Sequence, residues 1–235
     1  MIVTIHQPEH LPWLGFFHKA SQADCIVILD NVQFRKNYFQ NRNKIRTQDG
    51  WQWITVPVIR SLDTLIRDVA ISDEPRWKEK WWNAVYLSYK RGKFFDRYEN
   101  ELREALDTSA VNLCALNVSL LRFAFKVLGI NARMVFASEL GAEGKSGELI
   151  LDICKKIKAD SYFSGISGRE YLDLDAFKNA GINVSFQEFH HPIYSQLHAP
   201  FLPCMSVADL IFNHGPQSMK IINGEGVEVM AELFL

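Results

Sequence analysis

Short apolar segments alternate along this chain with longer stretches in which apolar residues recur at helical spacing. Residues 1 to 5 are apolar or β-branched and predict a strand, and residues 25 to 29 form a second continuous apolar segment. Between them, residues 13 to 22 place their apolar side chains on one helical face. A strand, helix, strand unit predicts two parallel strands joined by a right-handed crossover.

The same alternation returns in the second half of the chain. Strands are expected at residues 132 to 137, 161 to 164 and 184 to 189. Helices are expected at residues 146 to 158, 174 to 180, 206 to 212 and 217 to 222. Gly181 is typical of a helix end, and Ser206 is typical of a helix N-cap.

Three consecutive helical patterns interrupt this alternation. They cover residues 75 to 89, 96 to 106 and 113 to 128, and Gly129 provides a stop for the third. The pattern therefore predicts an α/β fold with a mostly parallel sheet and a helical insertion near residues 75 to 128.

A polar segment follows the second predicted strand. Residues 31 to 49 are rich in Asn, Gln, Arg and Lys and predict a loop over a site, whereas residues 51 to 58 alternate enough to predict a strand closed by Pro57. Phe34, Tyr38 and Phe39 lie among the charges of this segment, which favours stacking on a sugar or a base.

Composition narrows the class of protein. With 235 residues, 48% of them hydrophobic, the chain can form one domain with a sizeable core. The formal net charge of -1, from 26 basic and 27 acidic residues, supplies no overall field that would hold nucleic acid or an anionic membrane. Any anionic ligand must therefore be bound by a local site.

Neither a secretory leader nor a membrane-spanning segment is expected. Residues 1 to 6 lack a basic region followed by an apolar one, and no apolar run reaches about 18 residues. The four cysteines are scattered without a Cys-x-x-Cys spacing, which predicts free thiols in a reducing compartment and no zinc site. We expect a cytoplasmic protein, without membrane insertion, that can form a homo-oligomer.

Polar residues follow the predicted strands at the edge where ligands of open α/β sheets bind. The candidates for acid, base or orienting roles are His6, His191 and Asp30. The candidates for substrate binding are Gln7, Gln33, Asn41, Arg42, Ser164, Gly165, Arg169 and Tyr194. We expect the loops that begin at His6, Asp30, Ser164 and His190 to converge on one pocket.

Each candidate also has a purely structural interpretation. His6 can bind a phosphate or carry a proton, or it can cap the turn shaped by Pro8 and Pro12. Arg42 suits bidentate binding of a phosphate or carboxylate, or it is a solvated loop residue. The loop from Ser164 to Arg169 lets backbone amides approach a phosphate, or its glycines serve a tight turn. His190 and His191 supply an acid or a base, or they form part of a surface turn.

Several of these segments resemble the opening signature of the WbqC-like family. They are His6-Gln7-Pro8, Leu11-Pro12-Trp13-Leu14-Gly15-Phe16-Phe17, Ala23-Asp24, Leu29-Asp30-Asn31-Val32-Gln33-Phe34 and Asn41-Arg42. The likeness continues through His191-Pro192-Ile193-Tyr194-Ser195-Gln196 to residue 215. The family usually has an aromatic residue where His10 stands, which argues against a catalytic role for His10.

The resemblance implies a bacterial protein encoded near genes for O-antigen, lipopolysaccharide or capsule, without supplying a reaction. The leading hypothesis is a transferase that N-acylates or aminoacylates an amino-sugar nucleotide. Arg42 and the loop from Ser164 would hold phosphates, His6 or His191 would accept the amine proton, and Asp30 or Asn41 would orient the sugar. The sequence identifies no cofactor and no metal, and the expected partner is a nucleotide sugar or nucleotide.

A second resemblance is to the nucleotidyltransferase superfamily that includes pantothenate synthetase. It lies in the order strand, histidine-bearing turn, helix, strand, followed by Asn31-Val32-Gln33-Phe34. The spacing from His6 to His10 is one residue longer than in that superfamily. This resemblance implies a Rossmann-like, nucleotidyltransferase-like core and an ATP-dependent reaction through an adenylate. A nucleotide-sugar-binding accessory protein is the non-catalytic alternative.

Overall fold

The computed structural model describes residues 1 to 230, and it divides the chain into two compact units. The first unit comprises Met1–Gln7, His18–Val32 and Ile130–Phe189. The second comprises Pro8–Phe17, Gln33–Gly129 and the described residues from His190 onward. Each unit is assembled from three separate segments, so the expectation of a single domain stays a prediction.

The elements that the sequence predicts occur in the predicted order, together with short strands that it does not predict. The strands are β1 (Ile2–His6), β2 (Cys25–Ile28), β3 (Arg42–Thr47), β4 (Gly50–Thr55), β5 (Val58–Ile59), β6 (Ala70–Ile71), β7 (Arg133–Phe136), β8 (Ser161–Ser164) and β9 (Asn183–Phe186). The α-helices are α1 (Leu14–Ser21), α2 (Trp77–Tyr89), α3 (Phe95–Leu106), α4 (Leu113–Leu128), α5 (Ser146–Lys156), α6 (Leu174–Asn179), α7 (Val207–His214) and α8 (Ser218–Ile222).

Two helix ends are set by residues that the sequence pattern identified, Gly129 and Ser206. Gly129 ends α4 in the left-handed region with φ +70°, which a residue without Cβ adopts at low cost. The Ser206 side chain accepts a hydrogen bond from the Ala208 N–H and caps α7. The Asn112 side chain does the same for the Ala115 N–H at the start of α4. The predicted three-helix segment is therefore confirmed as α2, α3 and α4.

The first unit is built on a five-stranded parallel sheet flanked by helices, in the order β7-β2-β1-β8-β9. β1 lies at the centre, with two strands on each side. The predicted α/β class with a mostly parallel, Rossmann-like sheet is confirmed, and β1 and β2 form the parallel pair expected of them.

One face of this sheet forms the core of the first unit. Alternate residues of a strand share a face, so Val3 and Ile5 of β1 and Cys25 and Val27 of β2 join one buried cluster. α5 contributes Leu149, Ile150, Ile153 and Cys154 to that cluster, and α6 contributes Phe177, which stacks on Tyr162 of β8 at 5.8 Å between ring centroids. Burial of this apolar surface stabilises the packing of α5 and α6 on the sheet.

The second unit combines a β-hairpin with helices. α3 packs on α4, and α7 contacts both of them as well as β3. Phe212 of α7 lies 5.4 Å from Tyr89 at the end of α2 and 4.9 Å from Phe95 of α3, measured between ring centroids. These aromatic contacts connect three helices in one core.

The expectation that residues 31 to 49 form a loop is wrong for the part that forms β3. β3 pairs antiparallel with β4, from Arg42 opposite Thr55 to Thr47 opposite Gly50. Asn43 is buried at an inward position, where its Nδ2 donates to the carbonyl oxygens of His10 and Leu11. A polar residue at an inward position hides the alternation that would have predicted the strand.

His10 is a structural residue of the second unit. Its ring is fully buried, Trp81 Nε1 donates to its Nε2 at 2.9 Å, and its Nδ1 lies 3.0 Å from Asn117 Oδ1. Because Nε2 accepts the indole N–H, Nδ1 carries the proton and donates to the amide oxygen. Burial lowers the pKa of His10 to about 4, so the ring is neutral near pH 7.

Arg46 joins the hairpin to a segment near the end of the described chain. Its side chain is buried and donates to four carbonyl oxygens, those of Thr47, Gly50, His198 and Pro200. The Arg46 N–H donates to the Tyr89 hydroxyl at 2.9 Å. A guanidinium that satisfies several carbonyls fixes the backbone on which those carbonyls lie.

Candidate functional site

The connection order of the first unit marks one place on its sheet. The chain moves outward from β1 through β2 to β7 and then returns to β8 on the other side of β1. The direction of winding therefore reverses between β1 and β8. Open α/β sheets bind ligands beyond the carboxyl ends of the strands at such a reversal. His6 and Ser164 are the last residues of these two strands.

The main-chain ladder between β1 and β8 stops before those ends. β1 pairs with β2 over Val3, Thr4, Ile5 and His6, but it pairs with β8 only over Ile2 and Val3. Beyond that point, the Thr4 hydroxyl donates to the Phe163 carbonyl oxygen at 2.9 Å. The backbone at the carboxyl ends of β1 and β8 is thus not joined by ladder hydrogen bonds.

His6 presents a neutral imidazole at the end of β1. Its Nδ1 lies 3.0 Å from the Gln7 carbonyl oxygen, which only accepts hydrogen bonds, so Nδ1 carries the proton and Nε2 carries the lone pair. The ring is partly accessible, yet desolvation and then the charge of Lys19 lower its pKa to about 3. His6 therefore accepts a hydrogen bond at Nε2 more readily than it holds a second proton.

Lys19 places a buried cation beside His6. Its side chain is 5% exposed, and its Nζ donates to the Ile5 carbonyl oxygen at 3.2 Å. Lys19 is not among the candidates predicted from the sequence, although a signal is present: it lies three residues after Phe16, on the apolar face of the predicted helix. A lysine on a buried face is unusual enough to indicate a site.

Asp30 ties two loops together at the same sheet edge. The carboxylate is 3% exposed, its Oδ1 accepts the Ser138 N–H at 2.9 Å, and its Oδ2 accepts the Ser138 hydroxyl at 2.6 Å. Asp30 follows β2, and Ser138 follows β7. Both carboxylate oxygens are engaged, so this geometry suits a residue that orients the loops more than one that contacts a sugar.

The loop after β8 makes a tight turn over its own first residue. The buried Ser164 hydroxyl donates to the Gly165 carbonyl oxygen at 3.0 Å, and the Gly168 N–H donates to the same oxygen at 3.0 Å. A Cβ on Gly168 would lie 2.1 Å from Ser164 Oγ, whereas a Cβ on Gly165 would meet open space. Arg169 is exposed and stacks over Phe186 at 4.3 Å.

Three of the other candidates lie in the second unit and contact its backbone. The Gln33 side chain donates to the Leu62 carbonyl oxygen at 2.6 Å, and Asn41 Nδ2 donates to the Val56 carbonyl oxygen at 3.0 Å. Arg42 Nη2 donates to the Asn37 carbonyl oxygen at 2.6 Å, and the guanidinium lies 4.2 Å from the Trp53 ring centroid. Arg42 thus begins a strand and stacks on an indole.

His191 and Tyr194 are buried, and their polar atoms are engaged within the second unit. His191 Nδ1 lies 2.8 Å from the Pro192 carbonyl oxygen, and its Nε2 accepts the Cys204 N–H at 3.2 Å. Burial lowers its pKa. The Tyr194 hydroxyl donates to Asp209 Oδ2 at 2.8 Å. A role for His191 as a base would require it to exchange the Cys204 hydrogen bond for a substrate proton.

The candidates therefore fall into two groups, one at the edge of the parallel sheet in the first unit and one in the second unit. The second group is Gln33, Asn41, Arg42, His191 and Tyr194. His6, Asp30 and Ser164 follow or end β1, β2 and β8, so the parallel sheet brings them to one edge. Gln7 and Gly165 adjoin them in sequence. The loop at His190 belongs to the second unit, and its convergence with the others stays a prediction.

Some features are absent from residues 1 to 230. No helix there has the length and apolar character needed to cross a bilayer. No group of three or more His, Cys, Asp or Glu side chains in that range could hold a metal ion. None of the four cysteines, all of which are described, forms a disulfide.

Comparison with known proteins gives the family. The model of the WbqC-like protein family matches residues 7–221. The chain is also 33% identical over 221 residues to the uncharacterized protein Rv1507c of Mycobacterium tuberculosis (strain ATCC 25618 / H37Rv), a match that covers 92% of this chain and 95% of that protein. A match of this extent, added to the signature segments that end and follow β1 and β2, shows that the chain belongs to the WbqC-like protein family.

Proposed function

We propose that the protein is a cytoplasmic transferase of surface-glycan biosynthesis that N-acylates or aminoacylates an amino-sugar nucleotide. The observation that carries the proposal is that neutral His6 and the charge of buried Lys19, whose Nζ binds the Ile5 carbonyl oxygen, lie at the end of β1, where the winding of the sheet reverses. Family membership supports the proposal through the glycan gene clusters that the family implies.

In the proposed reaction, the sugar amine attacks the carbonyl carbon of an activated acyl donor. A carbon–nitrogen bond forms, the bond from that carbon to the leaving group breaks, and the amine loses one proton to His6 Nε2, which passes it to the leaving group. His6 Nε2 accepts a hydrogen bond from the attacking amine and orients it. Lys19 and the backbone of the loop from Ser164 to Arg169 stabilise the phosphates of the nucleotide.

In the proposed reaction, the charge of the bound ligand changes the pKa of His6. Lys19 is the second cause of the low pKa of His6, after desolvation. A bound phosphate beside Lys19 offsets that positive charge and raises the pKa of His6. The imidazole then becomes a better proton acceptor when the substrate is present than when it is absent.

Nucleotidyl transfer is the second candidate, and Lys19 is the observation that favours it. A buried cation beside a neutral histidine suits stabilisation of charge on an α-phosphate, which needs no strong base. In that reaction an acceptor oxygen of a second substrate attacks the α-phosphorus of ATP. The new phosphorus–oxygen bond gives an adenylate, and the bond to the leaving pyrophosphate breaks. The two candidates therefore differ in a product that can be measured.

The experiment starts with the purified full-length protein. Mass spectrometry of released ligands identifies any co-purifying nucleotide or nucleotide sugar. The protein is then incubated with UDP-linked amino sugars and either acetyl-coenzyme A or ATP plus an amino acid. A nucleotide sugar heavier by the acyl or aminoacyl group supports the transferase. Pyrophosphate release without such a product supports nucleotidyl transfer, and tight binding without turnover indicates an accessory protein.

The variant Lys19→Met tests whether Lys19 belongs to the site and lowers the pKa of His6. We expect the variant to raise the pKa of His6 above about 3, because one of its two lowering causes is removed, as measured by NMR titration of the imidazole. Nucleotide-sugar affinity should fall about tenfold or more, since hydrogen bonds to charged groups contribute about 1.5–3 kcal/mol. Lys155→Met, on the exposed side of α5, is the matched control. Equal affinity in both variants would remove Lys19 from the site.

A further inference from the structure

Aromatic rings lie in succession along β4 of the β3–β4 hairpin and the segment that precedes β3. Trp51 lies 5.4 Å from Trp53, Trp53 lies 6.0 Å from Phe39, and Phe39 lies 5.6 Å from Tyr38, all measured between ring centroids. Trp51 is 45% exposed and Tyr38 is 42% exposed. We call these four residues the aromatic strip.

Two cations lie over the indoles of this strip. The Arg42 guanidinium is 4.2 Å from the centroid of Trp53, and Lys44 Nζ is 4.7 Å from the centroid of Trp51. Arg42 and Lys44 are two residues apart on β3, so they project to the same face, while Asn43 and Ile45 are buried on the other. Positive charge is thus interleaved with the rings along the strip.

A cleft adjoins the strip at Trp53. It has a volume of about 250 Å³, and its walls include the indoles of Trp53, Trp77 and Trp81. Glu74 and Lys80, which form an ion pair at 3.0 Å, lie on its lining. Its volume is below the roughly 300–1,000 Å³ of sites for drug-sized ligands, so it suits one small ring.

These features together favour a carbohydrate. Aromatic faces stack on the C–H face of a sugar ring, and cations pair with carboxylates. Four rings in succession suit an oligosaccharide, because a single sugar would cover only part of the strip. Two cations lie over the rings of the strip, whereas nucleic-acid affinity comes from many phosphate contacts, and polar Thr55 on the same face interrupts the apolar surface that a membrane would need.

We propose that the aromatic strip, with Arg42, Lys44 and the adjoining cleft, binds an acidic oligosaccharide whose carboxylates pair with the two cations. One terminal sugar ring occupies the cleft between Trp53 and Trp77. This binding site lies wholly in the second unit and does not depend on the proposed transfer reaction.

Calorimetry with the full-length protein tests the proposal. The probes are trigalacturonate and its methyl ester, which keeps the rings and removes the charges. We expect trigalacturonate to bind, the ester to bind at least about tenfold more weakly, and the affinity for trigalacturonate to fall as salt is raised. Equal binding of acid and ester, or no binding of either, would overturn the proposal.

Variants locate the binding surface. Trp51→Ala should lower the affinity about tenfold, and Lys44→Met should lower it and weaken its salt dependence. Arg42→Lys keeps the charge and loses the planar stack on Trp53, so affinity should also fall. Thermal melting of each variant identifies any loss of folding. Tyr86→Ala and Lys90→Met are matched controls, because Lys90 lies 5.4 Å from the Tyr86 ring on another surface of the same unit.

Other classes of ligand are measured in the same calorimetric experiment. A short oligothymidylate, phosphatidylcholine vesicles containing phosphatidylserine, and glucose 1-phosphate are titrated under identical conditions. Affinity for any of these equal to or above that for trigalacturonate would overturn the assignment. Loss of trigalacturonate binding in the Tyr86 or Lys90 control as large as in Trp51→Ala would do the same.

Discussion

His10 and His6 illustrate how buried histidines couple folding to pH. Each ring is neutral in the folded chain, with its pKa lowered to about 4 for His10 and about 3 for His6. In the unfolded chain both return to about 6.5. Between these values only the unfolded state binds the proton, so each histidine lowers stability as the pH falls below about 6.5.

Asp209 acts in the opposite direction. Its carboxyl group is buried, and desolvation raises its pKa to about 6 although Tyr194 and Gln196 donate hydrogen bonds to it. The folded state therefore binds a proton between about 3.8 and 6, where the unfolded state does not. This contribution to stability is present at low pH and is lost as the pH rises through about 6.

His10→Gln isolates one of these contributions. Glutamine can still accept from Trp81 and donate to Asn117, but it does not titrate. We expect the wild-type free energy of unfolding to fall by about 1 kcal/mol more than that of the variant between pH 6 and pH 5. Urea unfolding at both pH values measures the difference. Parallel slopes for wild type and His10→Gln would show that the unfolded state does not bind the extra proton.

The turn after β8 shows how an element constrains its sequence. Gly168 lies against Ser164 so closely that a Cβ would displace the hydroxyl and break its bond to Gly165. Even after rotation of that hydroxyl, the new Cβ would lie 3.2 Å from Ser164 Cβ and 3.0 Å from Leu172 Cδ1. Gly165 has φ -68° and open space around it, so only one of these two glycines is required by contact.

Gly168→Ala and Gly165→Ala form a matched pair. Gly168→Ala should destabilise the protein by about 1–3 kcal/mol through overpacking. Gly165→Ala should be neutral or stabilise by up to about 1 kcal/mol, because alanine restricts the unfolded chain. Urea unfolding of both variants checks the values. A similar loss in both would mean that the turn needs glycine flexibility at each position.

Some elements of the fold could be predicted from local sequence, whereas others depend on contacts between distant segments. The buried strands β1, β2 and β8 and the helix α4 have apolar patterns and end signals in their own residues, so their type and bounds follow from local sequence. β3 was missed because Asn43 occupies an inward position and is satisfied by the distant carbonyls of His10 and Leu11. The role of Ser138 beside Asp30 depends on β2 and β7 being neighbours, which is a long-range property that no local pattern contains.

At the scale of the whole molecule, both units are discontinuous in sequence. The sheet of the first unit takes β1 and β2 from the first 32 residues and β7, β8 and β9 from Ile130–Phe189. The second unit takes its hairpin and α2 to α4 from the middle of the chain, and α7 from the last segment. Neither unit can therefore be completed by one half of the chain.

Separate fragments of residues 1–129 and 130–235 test this assembly. We expect neither fragment alone to unfold cooperatively, since each lacks strands or helices that both units need. Circular dichroism during urea titration, with the intact chain as reference, measures the cooperativity. A sharp transition in the fragment 130–235 alone would show that this segment folds without β1 and β2, which separate β7 from β8 in the sheet.

The four carbonyl contacts of Arg46 bear on how a ligand would meet the hairpin. They hold the turn from Thr47 to Gly50 against the segment at His198 and Pro200, so the strand that carries Arg42 and Lys44 is already ordered before any ligand arrives. A preorganised surface loses little conformational entropy on binding. The conformational entropy lost on binding a flexible glycan would then come mainly from the sugar chain. The affinity for the glycan should therefore increase with each sugar ring added to it, until the glycan covers the aromatic strip.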